Sequence, residues 1–287
     1  MSRLDKADTK AILATNLKDI IMRIIPICLA LLATPVAAHE FWLEPLAYQA
    51  PADAILAARI VNGQNFGGME ISYFPQRFTR FDLILGDVVV PVEARLGASP
   101  ALLVPPVGEG LTIVVYQSTD ATVTYESLEK FATFTGHKGY PTAAEAHQTR
   151  GLPDANFNEV YSRSVKSLIG VGDSAGADAR AGLETEFVAL DNPYTDDVSQ
   201  GMRVQLFYGD AVRANSQIEV FEKPLETAET PTLYTTDAEG IATVTVLPGH
   251  SYLVNSVVLR EPDAAKAAEF DAVWETLWAS LTFAVPD

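Results

Sequence analysis

Cysteine is almost absent from this 287-residue chain, which has only Cys28. One thiol closes no internal disulfide and builds no cysteine-based zinc cluster. Basic residues are also scarce, with 20 Lys and Arg against 37 Asp and Glu, a net charge of −17. Such a surface repels phosphate backbones and no basic patch offsets it, which excludes nucleic-acid binding. A membrane-spanning run is missing too. The uncharged N-terminal stretch 24–38 is 15 residues long and holds Pro26 and Pro35, whereas a spanning helix needs about 20 apolar residues. No stable membrane anchor is expected, and no fixed-period repeat occurs.

What that stretch does fit is a secretory signal peptide. Arg23 precedes the apolar run Ile24 to Leu32, and Val36 and Ala38 stand at the −3 and −1 positions of a cleavage site. Ile25-Pro26-Ile27 before Cys28 is a poor lipobox. Met22 directly precedes Arg23, so translation starting there would make 1–21 an artefact of the start site. Cleavage after Ala38 leaves 249 residues beginning His39-Glu40-Phe41-Trp42. Five of the 20 basic and three of the 37 acidic residues precede that point, leaving 15 against 34, a net charge of −19. An exported, acidic protein without cysteine fits a bacterial periplasm.

The rest reads as mainly β: two β-sandwich units of immunoglobulin or transthyretin type, 39–180 and 183–287, with a helical segment at 127–168. AILAARIVNG, FTRFDLILGDVVVPV, LTIVVYQ and ATVTYE are short apolar runs broken by Gly and Pro, and Thr112, Val114 and Tyr116 alternate with their neighbours as strand residues do. SLEKFATF and ANFNEVYSRSVKSLI are helix-compatible, with Phe157, Val160, Tyr161 and Ser164 at helical spacing. GVGDSAGADARAG at 170–182 reads as a loop or linker. Beyond it, strands are expected at Glu184 to Leu190, Arg203 to Tyr208, Gln217 to Glu222, Ile241 to Leu247 and Tyr252 to Leu259, then a helix-like DAAKAAEFDAVWETLW at 263–278 and a last strand LTFAV.

Four motifs are weaker than they look. Gly172-Asp173-Ser174-Ala175-Gly176 matches the nucleophile-elbow pattern, but that turn needs a parallel βα sheet and an oxyanion loop, neither of which is legible upstream. GQNFGG at 63–68 lacks the spacing of a phosphate-binding loop and reads as a strand connection. Glu159, Tyr161, Arg163 and Lys166 read as the salt-bridged solvent face of a helix, and Trp274 and Trp278, at i and i+4, as core.

YTTDAEGIATVTVLPGHSYLV resembles the T-D-x-x-G…PG-x-Y segment of prealbumin-like β-sandwich modules. More widely, AHEFWLEP, GQNFGG, VTYESLEKF, RGLPDANFNEVYSRSVKSLI and LETEFVALDNPYT resemble the bacterial family called domain of unknown function 4198. That resemblance covers nearly all of the chain after residue 38. It implies an exported, mainly β protein, with handling of a divalent metal such as nickel or cobalt and no established reaction.

Four histidines carry the candidate chemistry: His39, His137, His147 and His250. Cleavage makes His39 N-terminal, so its amine and imidazole can chelate one ion together. Added imidazoles give a nitrogen-rich site that favours copper(II), then nickel and zinc. The arrangement resembles the histidine brace of copper oxygenases and of periplasmic copper carriers. The plainer alternative is a frayed end, against which Phe41, Trp42 and Leu43 speak. His137 sits in the glycine-flanked TGHKGY, where an exposed loop suits a ligand; His147 sits in helix-like TAAEAHQT, where solvation is the plainer reading; His250 follows Pro248-Gly249 at a turn. Glu40, Glu44, Glu126 or Glu159 are carboxylates that could ligate or orient an imidazole. Three functions stay open: a periplasmic copper or nickel binding or delivery protein; a metal-free periplasmic interaction or ligand-binding sandwich partnering an envelope transporter; and an enzyme, either a copper oxygenase or a hydrolase using Ser174. An envelope metal transporter is the expected protein partner.

Overall fold

The computed structural model describes residues 39–223 and 231–287. The signal peptide expected at 1–38, with Met22 and Cys28, lies outside the described residues. From residue 38 onward the chain forms one compact unit, and it is mainly β.

Its strands make three sheets. The first holds β1 (Glu40–Pro45), β3 (Leu56–Gln64), β4 (Gly67–Ile71) and β7 (Leu102–Val104). The second, of ten strands, runs β15 (Thr232–Thr235), β14 (Gln217–Lys223), β17 (Ser251–Arg260), β18 (Ala272–Ala284), β10 (Phe157–Val171), β8 (Gly110–Ser118), β5 (Phe78–Leu85) and β6 (Val88–Pro91). Two further strands, β2 (Gln49–Ala50) and β9 (Ala121–Tyr125), pair with β10. The third sheet holds β11 (Thr185–Ala189), β12 (Met202–Tyr208), β13 (Ala211–Val212) and β16 (Ile241–Val244).

Alternation along the central strands assigns the layers, because successive side chains point to opposite faces. Val165, Ile169 and Val171 of β10 pack with Leu43, Leu56 and Ile60 of the first sheet. Leu168 of the same strand, with Leu281 and Phe283 of β18, packs with Phe187, Val204 and Val244 of the third. The ten-stranded sheet is therefore a shared middle layer. The expected boundary at 180–183 is where the chain leaves that sheet for the third one, and the middle sheet takes strands from both sides of it.

Three α-helices lie among the described residues. In α1 (Leu128–His137), the Ser127 hydroxyl caps the first turn by accepting from the Lys130 amide at 3.3 Å. With α2 (Ala143–Thr149) it covers the middle sheet beside the first sheet, placing Phe131 and Phe134 on Phe157, Trp274 and Trp278. The third, α3 (Ala264–Phe270), is capped by Asp263 at its start and ended by Asp271 in the left-handed region at φ 48°. None of the described helices is long and apolar enough to cross a membrane.

The structure corrects two helical expectations. Within 127–168 the helices end at Thr149, and ANFNEVYSRSVKSLI is mostly β10, a 15-residue strand pairing parallel with β18 and antiparallel with β8 and β9. Similarly, the helix expected at 263–278 stops at Phe270 and the chain continues as β18, so Trp274 and Trp278 share a strand face. Glu159, Arg163 and Lys166 are consequently buried rather than solvent-facing. By contrast GQNFGG is a strand connection: Asn65 and Phe66 form the two-residue turn at φ 51° and 58° between β3 and β4. A Cβ on Gly63 would lie 2.0 Å from the Gly67 carbonyl oxygen, so this hairpin closes only with glycine there. The five strands expected between Glu184 and Leu259 are all present within a few residues.

Candidate functional site

β1 follows His39 directly; Glu40 is buried while His39 is exposed. Glu40 finds its counter-charge at the far end of α1. Lys138 donates to Glu40 Oε1 at 3.1 Å and to Glu219 Oε2 at 2.5 Å, with its side chain only 7% exposed. Asn255 Nδ2 also donates to Glu219, at 3.1 Å. Two carboxylates and one ammonium are thus closed together by strands β1, β14 and β17 and the residue after α1. A buried ion pair lasts only when such extra hydrogen bonds complete it.

The cluster extends along the middle sheet. The Trp278 ring lies 4.9 Å from Lys138 Nζ and 4.0 Å from the Arg163 guanidinium. Burial pulls the Arg163 pKa down to about 10, against the neighbouring Tyr161, Glu40 and Glu159, and its Nη1 has no hydrogen-bond partner among the described residues. Glu159 is buried two residues before Tyr161 on the same face of the strand. Burial pushes its carboxyl up to about 7, although hydroxyl donors from Thr276 and Tyr125 and the charge of Arg163 pull the other way.

The four histidines are distributed over different environments. His39 is exposed, at the start of the described chain, and His137 is exposed as the last residue of α1, its carbonyl accepting from Gln217 Nε2 at 2.6 Å. Each directly precedes one partner of the Glu40–Lys138 ion pair. His147 lies on a helix, as its segment implies, but is fully buried rather than solvated. Its Nε2–H donates to the Pro153 carbonyl at 2.9 Å and its Nδ1 accepts from Trp274 Nε1 at 3.0 Å, beside the rings of Phe157 and Phe131. Both ring nitrogens are engaged. His250 Nδ1 bonds Glu222 Oε1 at 2.5 Å, at the turn into β17. Among the described residues, no group of three or more His, Cys, Asp and Glu side chains has the arrangement of a metal site.

The carboxylates named alongside them are also placed. Glu44 pairs with Lys223 at 2.9 Å and Glu126 with Lys130 on the surface, and neither hydrogen-bonds an imidazole among the described residues. Lys138 and Glu219 carry no motif in the sequence; their only signal is a lysine just past a helix end and a glutamate inside an apolar strand.

Ser174 is buried at φ 57° in the turn after β10, its amide donating to Val171 and its carbonyl accepting from Asn192. Its hydroxyl hydrogen-bonds no described histidine.

A model of the family described as a domain of unknown function, DUF4198, matches residues 36–259. The chain belongs to this family. The match begins just before His39 and ends within β17, so it takes in β1, both helices of the 128–149 segment and the Lys138 cluster. No curated protein matches the chain. Among solved structures it is similar to the D0–D1 domain of intimin, at 13% identity over 85% of this chain and 97% of that one, with a TM-score of 0.22.

The pairing of His147 gives a direct expectation. His147→Leu leaves the Trp274 N–H and the Pro153 carbonyl without partners in an apolar pocket, at roughly 1–3 kcal/mol for a buried polar group left unpaired. Chemical denaturation should show a loss of about 2 kcal/mol; an unchanged midpoint would show that neither bond matters.

Proposed function

We propose that this is an exported, periplasmic protein that binds or delivers a divalent transition metal, copper or nickel, through His39. The observation that carries the reading is the Glu40–Lys138 ion pair, which ties the residue after His39 to the residue after His137. Cleavage after Ala38 would give His39 a free amine. That amine, its own imidazole and the imidazole of His137 would supply three nitrogen donors from two exposed residues. Nitrogen donors of this kind favour copper(II) over nickel and zinc. The net charge of −19 after residue 38 raises the local concentration of cations. An envelope metal transporter is the partner that such a carrier would serve.

The test begins with the intact mass of the periplasmic protein, expected to match residues 39–287. Copper and nickel titrations then compare that protein with His39→Ala, His137→Ala and a form carrying Gly-Ser before His39, which moves the amine away. Each change should weaken binding at least tenfold, or about 1.4 kcal/mol. Affinity should also fall on acidification, because all three nitrogens must be deprotonated to bind. Affinities within threefold across the series, a difference below about 0.7 kcal/mol, would remove the site.

A metal-free interaction module is the second reading. It is favoured by β6, the edge strand of the middle sheet, where Val88, Val89 and Val90 are 52%, 51% and 39% exposed. An apolar edge of this kind can accept an added strand. An absence of metal binding would leave that reading in front.

A further inference from the structure

Where β1, β14 and β18 end and β17 begins, the chain leaves a pocket of about 520 Å³. That volume lies in the range of small-molecule sites, roughly 300–1,000 Å³. Neither His39 nor His137 lines it, so a ligand held in this pocket is independent of metal binding.

Its titratable lining residues are Glu44, Tyr48, Arg59, Lys223, His250 and Asp287. Glu44 and Arg59 face each other in the β1–β3 register. The Glu44 carboxylate holds Lys223 Nζ at 2.9 Å, while Arg59 Nη1 stands 3.6 Å away and Arg59 Nε stands 3.6 Å from Glu70. Both Arg59 separations exceed hydrogen-bond length. With its side chain 47% exposed, the guanidinium keeps its planar donor fork available, the geometry that takes a carboxylate in two parallel bonds. Across the pocket the turn before β17 is built to admit an acid. Gly249 has φ 75°, and a Cβ there would lie 2.5 Å from Asp287 Oδ1, so the carboxylate occupies the space a side chain would fill. Tyr48 contributes a buried hydroxyl with no partner among the described residues.

The charge balance selects the ligand. From residue 39 on the chain carries 34 acids to 15 bases, yet this lining has two acids, two permanent cations and a histidine. A dicarboxylate would meet Glu44 and Asp287; a diamine would meet Arg59 and Lys223. A molecule with one charge of each sign meets neither penalty. We infer that the pocket binds a small zwitterion, an α-amino acid or dipeptide, with its carboxylate on Arg59 and its ammonium on Asp287.

The experiment is calorimetry and thermal-shift titration of the exported protein with the common amino acids and short dipeptides. Controls are their N-acetyl and amide derivatives, succinate and 1,4-diaminobutane. At least one zwitterion should bind, with its N-acetyl and amide derivatives at least tenfold weaker. Arg59→Gln and Asp287→Asn should each weaken it tenfold or more with the ligand-free melt unchanged, since both side chains are solvent-accessible. The inference fails if no zwitterion binds up to about 10 mM, a concentration that registers millimolar dissociation constants. It fails equally if succinate or the diamine binds as tightly, or if both substitutions leave the affinity unaltered.

Discussion

Lys166→Met should lower the stability of the folded chain by about 3–5 kcal/mol, the cost of breaking a buried ion pair from one side. The Lys166 side chain is 1% exposed, its ammonium 2.6 Å from Asp178 and 4.0 Å from Glu186, and it also donates to the carbonyls of Ala179 and Phe187 at 2.9 Å. These bonds fasten β10 to the segment that leads into the third sheet. Methionine fills the space but leaves Asp178 without its cation. For a unit of this size each kcal/mol moves the midpoint by roughly 2–4 °C, so the melt should fall by roughly 6–20 °C. Burial raises the Asp178 pKa even against Lys166 and two backbone donors. Asp178→Asn should therefore cost less than Lys166→Met, and the double variant less than the sum. A Lys166→Met melt within about 2 °C of wild type, under 1 kcal/mol, would show that the pair holds nothing together.

Glu159→Gln should flatten the dependence of stability on pH. The carboxyl titrates near 4.5 when unfolded and about 7 when folded, burial being the main cause. A raised folded value means that the native state holds the proton more tightly. This contribution is complete below the unfolded value and is lost as pH rises through 4.5 to 7. At about 1.4 kcal/mol per pKa unit, it amounts to about 3 kcal/mol. Glutamine stays neutral and, like the protonated acid, has one carbonyl oxygen to accept from one of the two hydroxyls, Thr276 on Oε1 or Tyr125 on Oε2, and one donor facing the oxygen of the other. The variant should thus match wild type near pH 4.5 and exceed it by about 3 kcal/mol near pH 8. Parallel urea-unfolding curves at both pH values would contradict the assignment.

How legible the fold was depended on how many faces of a strand are buried. The strands from Thr185 to Arg260 were readable because turns mark them, as at Asp237, whose carboxylate accepts from the amides of Glu239 and Ile241 before β16. β10 and the first part of β18, before the expected last strand LTFAV, were not, because both are covered on two sides and so lose the period-two pattern. Their charges then mimic a helix face: Lys166 and Glu275 are buried against partners that only the folded chain supplies. The same limit applies to the candidate site. The expectation placed on His39 rests on local sequence alone, a histidine directly after Val36-Ala37-Ala38. That Lys138 reaches Glu40, or that Trp274 occupies the Nδ1 of His147, depends on contacts spanning 98 and 127 positions.

The parallel pairing of β10 with β18 bears on the order in which the molecule can assemble. Residues 272–284 sit in the interior of the largest sheet, between β17 and β10. As the chain is synthesised, β10 must wait for roughly a hundred further residues before one of its edges is closed. Pairings so distant in sequence make folding slow, and until the last strand arrives the strands on either side of it form two separate sheets with open edges. A chain that cannot close early keeps those edges unpaired until nearly all of it has been made.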